Sequence, residues 1–318
     1  MTNKKVLITG SCGFVFGNFL RKAVYEKHPY HLVSADRISG KAINSMYWNK
    51  NHTFYVADVR DQHVMDNIFQ LEQPDIIVHG AAEAVDNFSS DPNSFVTSNV
   101  LGTQVIINCC VKHKVEKLIY ISTDEVYGQL TSELEPSWKE TSELNPRNPY
   151  AATKAAGELL VKAAHQTHGL IYNIVRSSNN YGPRQTADKL IPKVIKCILN
   201  GEKIPIYGQG LQIRDWTHVY DNCAALLNIM SQGVPNETYN ITANQELPNI
   251  EVVQKICNII GKGHELMSFI PDPRLSHDFR YSSDSSKIRE LGWKPNFKFK
   301  DGIVNTVEWY MSNQWFLK

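Results

Sequence analysis

The sequence has almost no charge imbalance: 33 Lys and Arg stand against 32 Asp and Glu, a formal net charge of +1 over 318 residues. No basic block or aromatic-plus-basic stripe breaks that balance, which argues against a nucleic-acid partner. Long apolar runs are also missing. Stretches such as VLI and DIIVHGAA fall far short of the roughly 20 residues a bilayer demands, so no membrane partner is expected. The opening MTNKKVLITG enters a strand pattern without a signal-peptide core. Cysteine is sparse. Cys12, Cys109, Cys110, Cys197, Cys223 and Cys257 show neither C-x-x-C nor metal-ligand spacing. That excludes a disulfide framework and a metal centre, and points to free buried thiols in the reducing cytoplasm. Internal repeats, low-complexity tracts and flexible linkers are absent as well.

What is present is an alternation. KVLITG (5–10), HLVSAD (31–36), TFYVAD (53–58), DIIVHGAA (75–82), KLIYIST (117–123) and IYNIVRSS (171–178) read as strands. Helical spacing fills the intervals, with long helices expected over 94–114 and 149–169. The pattern predicts an α/β fold with a doubly wound parallel sheet covered on both faces. After residue 179 the chain becomes loop-rich, as in NNYGPRQ, YGQG and PDPRLSHD. We expect residues 1–178, with a return segment at about 213–240, to form a nucleotide-binding domain. Residues 179–212 and 241–318 are expected to form a smaller irregular lobe over the strand ends.

Gly10 and Gly13 lie between the first strand and the first helix, followed by Phe14 and Val15. Such a turn lets backbone amides approach a pyrophosphate at a helix N-terminus. Its position at the start of a βαβ unit is the context a dinucleotide site requires. Asp36, at the end of the second strand, suits the adenine-side ribose hydroxyls and disfavours a 2′-phosphate, so NAD is expected over NADP. Arg37 beside it weakens that preference. Asp58, followed by Val59, ends the third strand where it can meet the adenine edge. The usual third glycine of the loop is replaced by Phe16. Either the helix stands off to house this ring, or Gly17 takes the close contact.

YAATK places Tyr150 and Lys154 four apart on one helix face. A lysine ammonium and an oxidised nicotinamide beside it are expected to lower the phenol pKa, so that Tyr150 can take a proton from a sugar hydroxyl. STDEVYG delivers Thr123, Asp124 and Glu125 to the C-terminal end of the fifth strand, where ligands of such sheets bind. Adjacent carboxyl groups in a closed pocket oppose each other's ionisation, which leaves one as acid and the other as base.

These motifs, together with NVLGT, NPYAATKAAGE, SNNYGP, KLIP, IYGQGLQIRDW, ETYNI, RLSHD and LGWKP, resemble the extended short-chain dehydrogenase/reductase family. Within it they look like the nucleoside-diphosphate-glucose 4,6-dehydratases acting on UDP- or dTDP-glucose. The resemblance implies hydride removal from carbon 4 by bound NAD, with Tyr150 and Thr123 assisting. Glu125 then abstracts the carbon-5 proton, Asp124 protonates the departing carbon-6 hydroxyl, and hydride returns to carbon 6. It also implies that Ala82 lies near the nicotinamide and that Asn99 supports Lys154 through water. Asn180, Lys189, Leu190, Arg214, Arg274 and His277 fall on nucleotide- and diphosphate-binding positions, and the two long helices on a homodimer interface. The loop over 83–88 is one residue short of the family pattern. A nucleotide-sugar 4-epimerase is the alternative reading, although epimerases have no use for Asp124 and Glu125. A non-catalytic NAD-binding regulator is a third, disfavoured by the intact catalytic set.

Overall fold

The computed structural model describes residues 4–38, 46–47, 49, 52–84, 91–274 and 277–317. The shortened loop lies, from residue 85 onward, outside them. Apolar segments build the centre, buried at most positions except in the edge strand β3: β1 (Lys5–Thr9), β2 (His31–Asp36), β3 (Thr53–Val56), β4 (Ile76–His79), β5 (Lys117–Thr123) and β6 (Tyr172–Ser177). Three short strands follow, β7 (Asn179–Tyr181), β8 (Ile204–Tyr207) and β9 (Ile213–His218), and then β10 (Glu237–Ile241), β11 (Glu246–Pro248) and β12 (Met267–Ile270). The large sheet has seven strands in the order β3-β2-β1-β4-β5-β6-β10, all parallel. This is the expected doubly wound arrangement, and strand order reverses between β1 and β4, the usual place for a ligand crevice. β9 pairs with β7 and β11 in a separate small sheet, and β8 pairs with β12.

Helices cover both faces. They are α1 (Phe14–Tyr25), α2 (Gln62–Glu72), α3 (Pro92–Phe95), α4 (Gly102–Lys112), α5 (Pro149–His168), α6 (Leu190–Asn200), α7 (Val219–Gln232), α8 (Asn249–Ile260), α9 (Ser286–Glu290) and α10 (Phe299–Ser312). Phe16, Phe19, Leu226 and Met230 bring α1 and α7 together on one face. Met65, Phe69, Ile106 and Val161 seat α2, α4 and α5 on the other. A third core, with Ile195, Trp216, Ile256, Ile303 and Tyr310, lies within the C-terminal lobe.

The helix expected over 94–114 is not uniform. Between α3 and α4 the stretch Val96–Leu101 is a π-helix. The whole stretch Pro92–Lys112 is long and apolar enough by length and composition to cross a membrane. Here it packs against the sheet and carries the buried polar residues Asn99 and Thr103.

Phe16 packs against the residue just beyond β4: a Cβ placed on Gly80 would lie 1.9 Å from Phe16 Cε2. The lack of a side chain at Gly80 leaves room for the ring. Gly10 is constrained separately: its φ is +75° and a Cβ there would lie 2.7 Å from the Ala81 nitrogen. Phe16→Ala is expected to cost about 3–5 kcal/mol through the cavity it leaves, and Gly80→Ala about 1–3 kcal/mol through overpacking. In the double variant the clash has no partner, so urea denaturation should show a total smaller than the sum of the two. A strictly additive total would refute the contact.

Candidate active site

The cofactor half is built around the start of α1. Gly13 caps this helix without a side-chain hydrogen bond, and no acidic residue occupies its first turn. The helix therefore begins with unsatisfied N–H groups aimed at an anion. Ser11 Oγ is buried there without a partner. Asp36 faces the same loop, accepting hydrogen bonds from Cys12 N and Ile38 N at 2.9 Å. Arg37 pairs with Glu83 at 2.6 Å, an attachment that competes with holding a 2′-phosphate. These donors and this carboxylate fit NAD. Phe14 and Val15 pack beside them against the core. Val59 is buried on the other face, and Ala82 is exposed beyond the end of β4. Asp58 does not present a free carboxylate, because Arg60 Nε bonds it at 2.9 Å and Arg60 Nη2 at 2.5 Å.

A hydrogen-bonded chain links this loop to the π-helix. Ala81 N donates to Thr9 Oγ1, which lies 2.8 Å from His79 Nδ1, and His79 Nε2 lies 3.1 Å from Thr103 Oγ1. Thr103 donates its own proton to Asn99 O at 2.6 Å, so His79 must be the Nε2–H tautomer and neutral. Burial pushes its pKa down to about 3. Asn99 holds the backbone of residue 83 from both sides, accepting from Glu83 N at 2.7 Å and donating to Glu83 O at 3.1 Å. Its amide also donates to Thr153 Oγ1 at 3.0 Å. It thus reaches Thr153, the chain neighbour of Lys154.

The catalytic corner forms where β5 ends. Thr123 caps the following turn: its Oγ1 accepts from Glu125 N and donates to Asp124 Oδ1, both at 3.3 Å. Asp124 is 3% exposed and its Oδ2 has no partner. Burial, followed by the Glu125 charge, raises Asp124 to about 8. Burial also raises Glu125, against the pull of Asn148, Arg214 and Lys189. Tyr150 sits in the first turn of α5, with the Phe95 ring edge-on at 6.3 Å. The expected lowering of the phenol pKa counts on the charges of Lys154 and of oxidised nicotinamide, and the protein's own groups work against it. Burial first, then the Glu125 and Asp124 charges, raise it, and only the Thr123 hydroxyl works the other way. Lys154 is 3% exposed, with Nζ 4.3 Å from the Tyr120 ring centroid. Burial lowers it to about 7, against the pull of the Glu158 charge. The phenol, its pKa raised, rests protonated.

The expected substrate residues are dispersed around this corner. Arg214 is 7% exposed, donates to the carbonyls of Ile213, Phe279 and Asp278, and lies 4.2 Å over the Tyr281 ring. Its charge favours ionisation of both Asp124 and Glu125. Lys189 precedes α6 and pairs with Asp188 at 3.1 Å, and Leu190 opens that helix. Asn180 Nδ2 donates to Ser178 O at 3.0 Å, which leaves its buried Oδ1 without a partner. Arg274 Nη1 donates to His277 Nε2 at 2.9 Å, and His277 Nδ1 bonds Asp272.

A family model described as GDP-mannose 4,6-dehydratase matches residues 7–306. The chain belongs to this family. A dTDP-glucose 4,6-dehydratase of Streptomyces niveus is 39% identical, with 98% of this chain and 94% of the relative covered. Among solved structures, the dTDP-glucose 4,6-dehydratase DesIV of Streptomyces venezuelae, with NAD and TYD bound, is 35% identical. It aligns at a TM-score of 0.91 over 99% of both chains. A UDP-glucose 4-epimerase of Thermotoga maritima is 26% identical, at a TM-score of 0.89 over 98% of this chain and 99% of that one.

This member of the 4,6-dehydratase family has site residues that the sequence did not single out. Asn148 caps α5, accepting from Ala151 N at 2.8 Å, and its Nδ2 donates to Glu125 Oε2 at 2.9 Å. Arg147 Nε pairs with Asp278 at 2.7 Å. An Asn before Pro at a helix start is legible as a cap. Its second bond, to a residue 23 positions earlier in the chain, is not.

Proposed function

We infer that the protein dehydrates a nucleoside-diphosphate glucose, dTDP-glucose or UDP-glucose, to its 4-keto-6-deoxy derivative, a first step toward rhamnose-type deoxysugars. The observation that carries this reading is the Asp124–Glu125 pair at the end of β5 beside Thr123 and Tyr150, with Asp124 buried and Glu125 half-buried. The dTDP-glucose specificity of its relatives makes that the first substrate to test. The 4-epimerase reading shares the scaffold but leaves the two carboxyl groups without a task.

NAD, when bound, supplies reversible hydride acceptance. Gly10, Gly13 and the N–H groups opening α1 suit its pyrophosphate, Asp36 a ribose, and Lys154 the nicotinamide side. Tyr150, beside Thr123, takes the carbon-4 hydroxyl proton as the phenolate, its own proton having passed to solvent once Lys154 and the charge of oxidised nicotinamide stand beside it. Glu125 removes the carbon-5 proton once carbon 4 is a ketone. Asp124, protonated at neutral pH, donates to the carbon-6 hydroxyl so that it leaves as water. Arg214, Lys189, Asn180, Arg274 and His277 line the side suited to the nucleoside diphosphate, where guanidinium forks match phosphate oxygens.

A second copy of the chain is the proposed partner. Between α4 and α5 a groove of about 320 Å³ is lined by Ile107, Val111, Leu160 and Ala163. Leu101 and Leu159, on the same pair of helical segments, are 50% and 59% exposed. The six free cysteines, all buried, suit the cytoplasm.

The test incubates purified protein with dTDP-glucose and, in parallel, UDP-glucose. The expected product absorbs in base as a 4-keto sugar, and acid denaturation releases NAD. A carbon-4 epimer as product, or no nucleotide on denaturation, would reject the reading. Sedimentation should give a dimer that Leu159→Glu weakens.

A further inference from the structure

We propose that Asn148 is a positioning residue for dehydration: its side-chain amide uses one end to cap α5 and the other to hold Glu125 as the base of the adjacent carboxyl pair. The inference rests on the functional reading above and assigns a role to a residue outside the catalytic set.

The geometry fixes which end does what. Asn148 precedes Pro149 and has the extended backbone that a following proline requires, at φ −139° and ψ 160°. Its Oδ1 accepts from Ala151 N at 2.8 Å. A flipped amide would set an NH₂ group against that N–H, donor against donor, so the cap settles the orientation. The end facing Glu125 Oε2, 2.9 Å away, is therefore the donor. An amide donor favours the ionised form of a carboxyl group. Asp124 has only a longer contact: the Thr123 hydroxyl donates to its Oδ1 at 3.3 Å, and its Oδ2 meets nothing. The shorter donor thus goes to the acid that must ionise.

Among the groups that favour ionisation of Glu125, Asn148 acts most strongly, ahead of Arg214 and Lys189. Arg214 favours ionisation of both acids. Lys189 acts from the start of α6, and the Asp278 charge opposes ionisation of Glu125. Asp278 is itself engaged by Arg147 Nε at 2.7 Å and by the Tyr281 hydroxyl at 2.5 Å. Tyr150 and Tyr281 feel the Glu125 charge as neutral phenols. Adjacent residues thus do related work: Arg147 neutralises the competing carboxylate while Asn148 holds the reactive one.

A cap role alone predicts lost stability, and the variants separate the two roles. Asn148→Ser and Asn148→Asp both keep an acceptor for Ala151 N. Serine removes the donor to Glu125, and aspartate replaces it with a charge. In Asn148→Ser, kcat for ketosugar formation should fall on the order of tenfold, as for loss of one hydrogen bond to a charged group. KM and Tm should stay close to wild type. The acid limb of the kcat–pH profile should move to higher pH, and further in Asn148→Asp. A substrate-free reading is the Glu125 carboxyl titration, taken by NMR as the difference between the wild-type and Glu125→Gln spectra. It should also move up in both variants. An unmoved titration overturns the proposal, as does an Asn148→Ser enzyme with wild-type kcat and acid limb. Absence of ketosugar from the wild type would overturn the proposed activity instead, and the titration would still decide the role of Asn148.

Discussion

Glu125→Gln should lower the rate of ketosugar formation by about 10²–10⁴-fold, the usual contribution of one general base. The amide is nearly isosteric and can still meet Asn148, so the loss reports chemistry more than folding. Exchange of the carbon-5 proton with deuterated solvent separates the roles within the carboxyl pair. Glu125→Gln should abolish this exchange along with product. Asp124→Asn should keep exchange and lose water elimination, because its defect lies one step later. Exchange persisting in Glu125→Gln would remove it as the base.

The wild-type pH profile follows from the same pair. Asp124 must be protonated to act as acid, and its pKa is raised to about 8. Activity should therefore decline as pH rises past about 8. Stability follows the same sign. The Asp124 contribution is fully present below the ordinary carboxylate range and is lost as pH rises through about 8, because ionisation puts a second charge into a buried site beside Glu125.

Glu158→Ala should destabilise the fold by about 3–5 kcal/mol, read from the urea midpoint at constant slope. Arg176 is 1% exposed and Glu158 fully buried. The guanidinium grips the carboxylate through Nε at 2.9 Å and Nη2 at 2.5 Å, and donates to the Tyr127 hydroxyl at 2.7 Å. Removing the carboxylate leaves a buried cation unmatched, which costs more than the pair itself contributes. Changing both residues to apolar ones of similar volume should recover most of the loss. Because the Glu158 charge opposes the burial-driven lowering of Lys154, Glu158→Gln should also move the lysine titration further down.

The parts legible in the sequence were those carried by local pattern. Uniform apolar strands announced a sheet covered on both faces, and STDEVYG at the end of β5 put three reactive side chains at one strand terminus. What escaped depends on contacts between distant segments. SFVTSNVLGTQ reads as ordinary helix, but Asn99 bonds the backbone of residue 83, and the helix widens into a π-turn around it. For Tyr150, helix spacing reveals Lys154 as a neighbour and says nothing about the burial that works against a lowered phenol pKa.

The Phe16–Gly80 contact also bears on how this loop can change. A bulky ring on the helix faces a glycine just beyond the strand. Reinstating glycine at position 16 empties a site, while adding a side chain at position 80 collides with the ring already there. Neither position has a smooth single-substitution path away from its present state. Anyone transplanting a relative's phosphate loop into this scaffold must exchange the strand end along with it.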